Sequence, residues 1–185
     1  ESNRTLLLQS QWEFSMEGKE EWMPATVPGV VHLDLLDNGI IEDPYWEDNE
    51  IQQKWIEDNN WRYRTSFMVD EKMLEMEHVE IDFLGLDTYA EVFLNGQQIL
   101  ESSNMFRSWA KEIKNLLKVG ENRLEIFFQS PILRNKSIVE SYPHMLPSGN
   151  EGSEVPTKVA SFSRKAAYQF GWDWGPRFVT SGIWR

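Results

Sequence analysis

Apolar and polar residues alternate along the middle of the chain with a period of two, which is the pattern of half-buried β-strands. Trp61, Tyr63, Thr65, Phe67 and Val69 occupy every second position of one such segment, with polar or small residues between most of them. In a strand these five side chains would share one face. The pattern therefore predicts a strand over this segment, with one face toward a core.

The next segments repeat the strand pattern and add a turn signal. Residues 79–83 alternate strictly between apolar and acidic side chains. Residues 89–94 lead into Asn95-Gly96, and residues 97–100 follow it. An Asn-Gly pair between two alternating segments is the strongest short signal for a β-hairpin, because both residues accept the positive φ that a tight turn requires. A hairpin is therefore predicted around this pair.

A second strand pair is predicted farther along the chain. Residues 117–120 and 123–128 are the candidate strands, with Gly120-Glu121-Asn122 between them as the turn. Several short strands with turn signals about ten residues apart are typical of a sandwich or a barrel. The pattern therefore favours an all-β fold over a parallel α/β sheet.

A few short helices are predicted outside these strands. Residues 30–37 carry apolar side chains at helical spacing and end at an Asn-Gly pair, as helices commonly do. Asp48 is the expected N-cap of a second helix that runs through Glu57. Residues 131–140 are a third candidate helix, and residues 5–16 are expected to hold a short strand.

A long loop is predicted in the last third of the chain. Residues 142–156 are rich in Pro, Gly and Ser, which indicates a surface loop. A loop of this length is usually functional or mobile. It leads into residues 163–168, a candidate single helical turn, and then into residues 171–176. Residues 180–185 read as the beginning of a strand that Gly182 interrupts.

Composition narrows the class of protein. The chain has 185 residues, enough for one large domain with a sizeable core. Its 18 Lys and Arg face 30 Asp and Glu, which gives a formal net charge of −12. Nucleic acids and anionic membranes bind clusters of Lys and Arg, so neither is predicted as a partner. The sequence has no apolar stretch of the roughly eighteen residues that a membrane span needs.

The candidate chemistry lies in residues 171–176, which read GWDWGP. Trp172 and Trp174 offer aromatic faces that suit the C–H face of a sugar ring, and Asp173 between them can accept hydrogen bonds from hydroxyls. The Gly-Pro pair that follows favours a loop over an extended strand. The alternative from composition alone is that both Trp side chains belong to the core and Asp173 caps a turn.

Metal, cofactor and nucleophile signals are weak. His32, His78 and His144 lie far apart in sequence, and none has a second ligand at helical spacing. The chain has no Cys, no Gly-rich phosphate-binding motif and no nucleophile motif. The sequence therefore predicts neither a metal site nor a cofactor. Among 30 acidic residues, finding two that could form a catalytic pair proves nothing.

Several segments together resemble the N-terminal domain of β-mannosidases of glycoside hydrolase family 2. The similarity covers essentially the whole chain, and the WDWGP and GIWR motifs are its most specific parts. The matching segments, in order, are VPGVVHLDLLDNGIIEDPYW, NNWRYRTSF, FLGLDTYAEVFLNGQQI, SNMFRSW, NRLEIFFQSPI and SRKAAYQFGWDWGPRFVTSGIWR. The resemblance implies that residues 1–185 form a single jelly-roll β-sandwich domain, similar to galactose-binding domains, with a few short helices.

The resemblance also implies a division of labour in a larger enzyme. The two catalytic glutamates of the family lie on a barrel several hundred residues downstream, so none of the catalytic residues is expected here. Trp172 and Asp173 match the positions that line the mannose subsite. Trp174 is the weaker candidate and is interpreted as structural, while Asn104 lies in a loop that could reach the same rim but is better interpreted as a turn residue. The expected partners are the remaining domains of the polypeptide and a β-mannoside oligosaccharide.

Three alternatives remain open from the sequence. The parent enzyme could cut another β-glycoside such as a galactoside, the domain could bind carbohydrate independently, or it could only brace the barrel. The first residue is not Met, and with this kind of enzyme that favours an exported protein in a bacterial periplasm. We expect the chain alone to be inactive.

Overall fold

The computed structural model describes residues 4–185, whose regular secondary structure consists mainly of β-strands. The ten strands are β1 (Trp12–Met16), β2 (Met23–Ala25), β3 (Trp61–Val69), β4 (Glu80–Phe83), β5 (Leu86–Asp87), β6 (Tyr89–Leu94), β7 (Gln97–Ser103), β8 (Trp109–Glu112), β9 (Gly120–Gln129) and β10 (Gly182–Ile183).

Helices are few and short within these residues. The α-helices are α1 (Val31–Asp37), α2 (Asn49–Gln52), α3 (Glu71–Leu74) and α4 (Pro131–Ser141). Four 3-10 turns cover Lys54–Ile56, Lys114–Leu116, Ala160–Phe162 and Ala167–Phe170.

Six strands form one antiparallel sheet in the order β2-β1-β3-β9-β6-β7. The long strands β3 and β9 lie at its centre and pair from Trp61 opposite Phe128 to Val69 opposite Gly120. Two smaller antiparallel pairs, β4 with β8 and β5 with β10, complete the strand structure. Because non-consecutive strands are neighbours, the sheet joins distant parts of the sequence.

The core lies between the large sheet and the smaller strand pairs. The inward side chains of the large sheet, among them Tyr63 and Phe128, are almost fully buried. They belong to the same apolar cluster as Ile81, Phe83 and Ile183 from the smaller pairs. Burying one large apolar side chain contributes about 1.5–3 kcal/mol, so this two-layer arrangement is the main source of stability. The predicted all-β sandwich with a few short helices is confirmed.

Most of the predicted elements are confirmed. Strand β3 follows the predicted alternation, β6 and β7 form the hairpin around Asn95 and Gly96, and α1 and α4 lie where helices were predicted. The loop after α4 also has no strand or helix until Ala160. Strand β10 is shorter than predicted and pairs with β5.

The predicted strand pair over residues 117–128 is wrong. Residues from Gly120 onward form the single strand β9, and Lys114–Leu116 is a 3-10 turn. Asn122, predicted as a turn residue, is fully buried. Its side chain accepts a hydrogen bond from the backbone amide of Lys118 at 3.0 Å and donates one to the carbonyl of the same residue at 2.7 Å. These bonds satisfy a polar side chain inside the strand, which its residue type alone does not reveal.

The predicted helix from Asp48 to Glu57 is also wrong. The segment divides into α2 and a 3-10 turn, and the Asp48 side chain does not cap the backbone. Gln53 separates the two parts because its side chain is buried and its Nε2 donates to the carbonyl of Glu42 at 2.9 Å. Ile51 is exposed.

Three smaller differences concern a strand start, a displaced turn and a helix that was not predicted. The strand expected from residue 5 begins only at Trp12, because Gln11 has a positive φ of 58° that no strand adopts. The single turn expected over residues 163–168 lies instead at Ala167–Phe170. Helix α3 was not predicted, although the Asp70 side chain caps it by accepting from the amide of Met73.

Candidate functional site

Residues 171–176, which we call the tip, form a tight turn at the surface. The backbone amide of Trp172 donates to the carbonyl of Gly175 and the amide of Gly175 donates to the carbonyl of Trp172, both at 3.2 Å. Gly171 enters the turn with φ +105°. A Cβ at this position would lie 3.0 Å from the carbonyl oxygen of Asn150, so glycine is required by both conformation and space.

The tip presents its aromatic and acidic side chains to solvent. Trp172 is 48% exposed and Trp174 is 83% exposed, and Asp173 between them is exposed. The two indole rings meet edge to face, with centroids 5.8 Å apart and planes at 79°. Two apolar walls at nearly a right angle beside an exposed carboxylate can hold the C–H face of a sugar and accept bonds from its hydroxyls.

The segments on either side of the tip, residues 165–170 and 177–180, contribute the buried polar side chains of Lys165, Arg177 and Thr180; we call these segments the two arms of the stem. Arg177 begins the second arm. Its Nε donates to both carboxylate oxygens of Glu57 at 3.0 and 3.1 Å. Its Nη1 donates to Glu151 Oε1 and to the carbonyl of Phe170, both at 3.2 Å. The backbone amide of Arg177 donates to Glu50 Oε1 at 2.6 Å.

Two buried carboxylates thus share one guanidinium. Glu151 also accepts hydrogen bonds from the backbone amides of Val159 and Ala160 at 3.2 and 3.0 Å, which fixes the long loop before the stem. Burial raises the pKa of the Glu57 carboxyl above its ordinary value, and the hydrogen bonds and charge of Arg177 oppose this shift. Arg177, Glu57 and Glu151 therefore each have an oppositely charged partner, which offsets the cost of burying their charges.

A second buried ion pair, between Lys165 and Asp87, also holds the stem. Lys165 Nζ donates to Asp87 Oδ1 at 2.5 Å and to the carbonyl of Thr180 at 2.7 Å. Thr180 Oγ1 donates to Asp87 Oδ2 at 2.8 Å, and the Thr180 amide donates to Gln169 Oε1 at 3.1 Å. Burial lowers the pKa of the Lys165 ammonium, while the Asp87 carboxylate opposes that shift. Both arms of the stem are therefore joined to strand β5.

His32 packs beside this second ion pair. Its ring meets Phe178 edge to face at 5.5 Å, and Phe178 meets Tyr45 at 5.2 Å. Burial, and secondarily the positive charge of Lys165, lowers the pKa of His32 from 6.5 to about 4. The imidazole is therefore neutral at physiological pH, and it is one of the core groups around the stem.

The structure places the predicted site residues as follows. Trp172, Asp173 and Trp174 lie together on the exposed tip, and the only ring that Trp174 is seen to meet within residues 4–185 is that of Trp172. Asn104 lies in a turn, where its Oδ1 accepts a bond from the amide of Phe106 at 2.9 Å. This is an Asx turn, the local role that the sequence favoured for Asn104.

Sequence reasoning did not find the stem residues. Lys165 and Arg177 flank the tip motif closely, yet charged residues at such positions are usually solvated. Their acidic partners Asp87 and Glu57 lie 78 and 120 residues away in the chain. Cations next to an aromatic-rich motif are the one signal that could have drawn attention to them.

Other site types lack support in the part of the chain that the structure describes. Within residues 4–185, no three His, Cys, Asp or Glu side chains come together in a way that could hold a metal ion. The helices of the same residues are all too short or too polar to cross a membrane.

Known proteins are similar in sequence to this chain over almost its whole length. Residues 12–185 match the model of the glycosyl hydrolase 2 galactose-binding domain-like family. The chain is 38% identical to β-mannosidase B of Emericella nidulans, over 97% of this chain and 21% of that protein. It is 35% identical to the β-mannosidase of Capra hircus, over 98% of this chain and 21% of that protein.

A solved structure agrees in fold as well as in sequence. The crystal structure of a β-D-mannosidase from Dictyoglomus thermophilum superposes with a TM-score of 0.88 at 42% identity, over 97% of this chain and 22% of that one. The chain thus spans about a fifth of the length of the relatives it matches. The family match and these relatives confirm the resemblance drawn from the motifs. The chain belongs to the galactose-binding-like domain family of glycoside hydrolase family 2.

Proposed function

We propose that this chain is the N-terminal domain of a retaining β-mannosidase-like hydrolase. In that enzyme it supports the catalytic domain and contributes the tip to the mannose subsite. The observation that carries the proposal is the exposed Trp172-Asp173-Trp174 turn on a buried ionic stem. The similarity to β-mannosidases over almost the whole chain supports the choice of substrate.

The tip would act on the sugar at a distance from the bond that breaks. Trp172 would form one wall of the subsite, and Asp173 would accept hydrogen bonds from ring hydroxyls. Such contacts raise the rate when they tighten as the sugar ring distorts toward the transition state. A hydrogen bond to a charged group contributes about 1.5–3 kcal/mol. A rigid stem suits this role, because the tip must keep its position while the sugar moves.

The reaction itself requires two further carboxyl groups. A retaining glycosidase uses a nucleophile and an acid/base about 5 Å apart and proceeds through a covalent glycosyl-enzyme. We propose that both lie in the remainder of the polypeptide. The exposed aromatic side chains Tyr45, Trp46 and Tyr168 are suited to bracing, because the burial of large aromatic surfaces is what holds domains together.

The test is a comparison of two proteins. We expect the full-length polypeptide to hydrolyse an aryl β-mannoside with retention of configuration, and faster than the matching aryl β-galactoside. We expect residues 1–185 alone to show no turnover. Faster cleavage of the galactoside would reject the proposed sugar, and turnover by the purified chain alone would reject the division of labour.

The predicted export to a bacterial periplasm stays a prediction. Fractionation of the source cells, with the activity assayed in each fraction, would test it.

A further inference from the structure

We infer that Arg177, gripped by Glu57 and Glu151, is a positioning residue that sets where Trp172 and Asp173 lie. This inference rests on the proposed function, since it concerns how the tip is aimed into the subsite. The three side chains form a buried group that we call the clamp. Neither Glu57 nor Glu151 belongs to the tip, and each reaches it only through Arg177 or the adjoining backbone.

The tip has few supports of its own. Two of its backbone hydrogen bonds join Trp172 to Gly175 and remain inside the turn. Two others leave it, both at Gly171: its amide donates to the carbonyl of Tyr168 at 3.1 Å, and its carbonyl accepts from Asn150 Nδ2 at 2.9 Å. The orientation of the turn therefore depends on how its two ends are held.

The clamp holds both ends at once. Arg177 follows the tip directly, and its Nη1 donates to the carbonyl of Phe170, the last residue before the tip. The same guanidinium is fixed by Glu57, which follows the Lys54–Ile56 turn, and by Glu151, which lies in the long loop. A planar guanidinium with several fixed donors can satisfy all three acceptors, whereas the single ammonium of Lys cannot reproduce this geometry.

The clamp also explains why two segments without regular sheet pairing lie beside the tip. The segment around α2 contributes Glu50 to the backbone amide of Arg177 and Glu57 to its side chain. The long loop contributes Glu151, whose carboxylate also fixes Val159. Glu50, Glu57 and Glu151 all bond to Arg177. The geometry therefore transmits any change at Glu57 to the tip through one guanidinium.

Glu57→Gln in the full-length protein is the sharpest test. It removes one charge from a residue 120 positions away from Arg177 and leaves a neutral pair of Arg177 with Glu151. Asp58→Asn is the matched control, because it makes the same charge change at the adjacent, exposed position. Arg177→Lys is a second variant, which keeps the positive charge and loses the planar guanidinium with its several donors.

Two measurements test the positioning role of the clamp separately from the proposed function. Incorporation of 5-fluorotryptophan reports the surroundings of each indole by ¹⁹F NMR, with resonances assigned by single Trp→Phe substitutions. Steady-state kinetics on an aryl β-mannoside report the subsite. We expect both clamp variants to shift or broaden the Trp172 and Trp174 resonances, and to leave the core resonance of Trp12 unchanged. We expect kcat/KM to fall roughly ten- to a hundredfold, mainly through kcat, because small misplacements cost this much.

Each result supports or contradicts either the positioning role of the clamp or the placement of the tip in the subsite. Unchanged Trp172 and Trp174 resonances in either folded clamp variant would overturn the positioning role, and so would equal changes in Asp58→Asn. Shifted resonances with unchanged kinetics would support the clamp and reject the placement of the tip in the subsite. A variant that fails to fold is replaced by the other, since Glu57→Gln and Arg177→Lys change opposite partners of the same contact.

Discussion

Lys165 Nζ lies 2.5 Å from Asp87 Oδ1 with both side chains wholly shielded from solvent. The same ammonium donates to the carbonyl of Thr180, so the pair joins strand β5 to both arms of the stem. A buried ion pair is weak evidence for stability by itself, but removing one partner leaves an unpaired buried charge. The stem therefore depends on this pair being complete.

We predict that Lys165→Met lowers the free energy of unfolding by about 3–5 kcal/mol, because it leaves the Asp87 carboxylate buried without its cation. Urea unfolding of the 185-residue chain measures the change. Arg4→Met is the matched control, since Arg4 forms an ion pair with Asp70 at 2.7 Å with both side chains about half exposed. Exposed pairs contribute about 0–1 kcal/mol. Equal losses in the two variants would show that burial of the pair is not what matters.

A second prediction concerns pH and His32. Its pKa is about 4 in the folded protein against 6.5 for a free side chain, so the folded state binds fewer protons between these values. The stabilising effect of a neutral His32 is therefore complete above pH 6.5 and is lost as the pH falls toward 4. Over that window the loss amounts to about 3 kcal/mol.

The measurement is the difference in unfolding free energy between His32→Phe and the unchanged chain at pH 7 and at pH 4.5. We expect the variant to lose less stability on acidification, because it has no imidazole to protonate. Other groups that titrate in this range, Asp34 and Glu57, are common to both proteins and cancel in the difference. Parallel pH profiles for the two proteins would contradict the assignment of a depressed pKa to His32.

A third prediction concerns the entry to the tip. Gly171→Ala places a side chain on a backbone with φ +105° and a Cβ 3.0 Å from the carbonyl oxygen of Asn150. We expect a loss of about 1–3 kcal/mol in unfolding free energy from the strained backbone. Gly149→Ala is the control, because that glycine has a negative or extended φ and open space around its Cβ. If both substitutions cost the same, the conformation of Gly171 is not what fixes the tip.

The sequence predicts strands β3, β6 and β7 of the large sheet well, because alternation reports directly which face is buried. The period-two pattern of β3 and the Asn-Gly turn between β6 and β7 are local features that need no tertiary information. Strand β9 was divided wrongly at residues 120–122, since Gly-Glu-Asn is a typical turn sequence. In the folded chain, Asn122 is satisfied by Lys118 and by Asn95, and pairing with β3, which places Asn122 opposite Phe67, extends β9 through it.

The candidate site, like the fold, could be predicted from the sequence only in part. The Trp172-Asp173-Trp174 motif is visible in the sequence because unusual residue types lie next to each other. The stem is not visible, because Arg177 and Lys165 become buried only through partners far away in the chain. Which of 30 acidic residues meets which cation is a property of the tertiary fold. Local patterns therefore predict the exposed chemistry and miss the network that holds it.

The most direct test of the account is the kinetic effect of Asp173→Ala in the full-length protein, measured on an aryl β-mannoside. Asp82→Ala serves as control, because Asp82 is also an exposed carboxylate but lies on strand β4. We predict a roughly 10- to 100-fold fall in kcat/KM for Asp173→Ala, the equivalent of one charged hydrogen bond lost in the transition state, with unchanged stability. A ratio near one, equal to that of Asp82→Ala, would contradict the claim that the tip belongs to the sugar subsite.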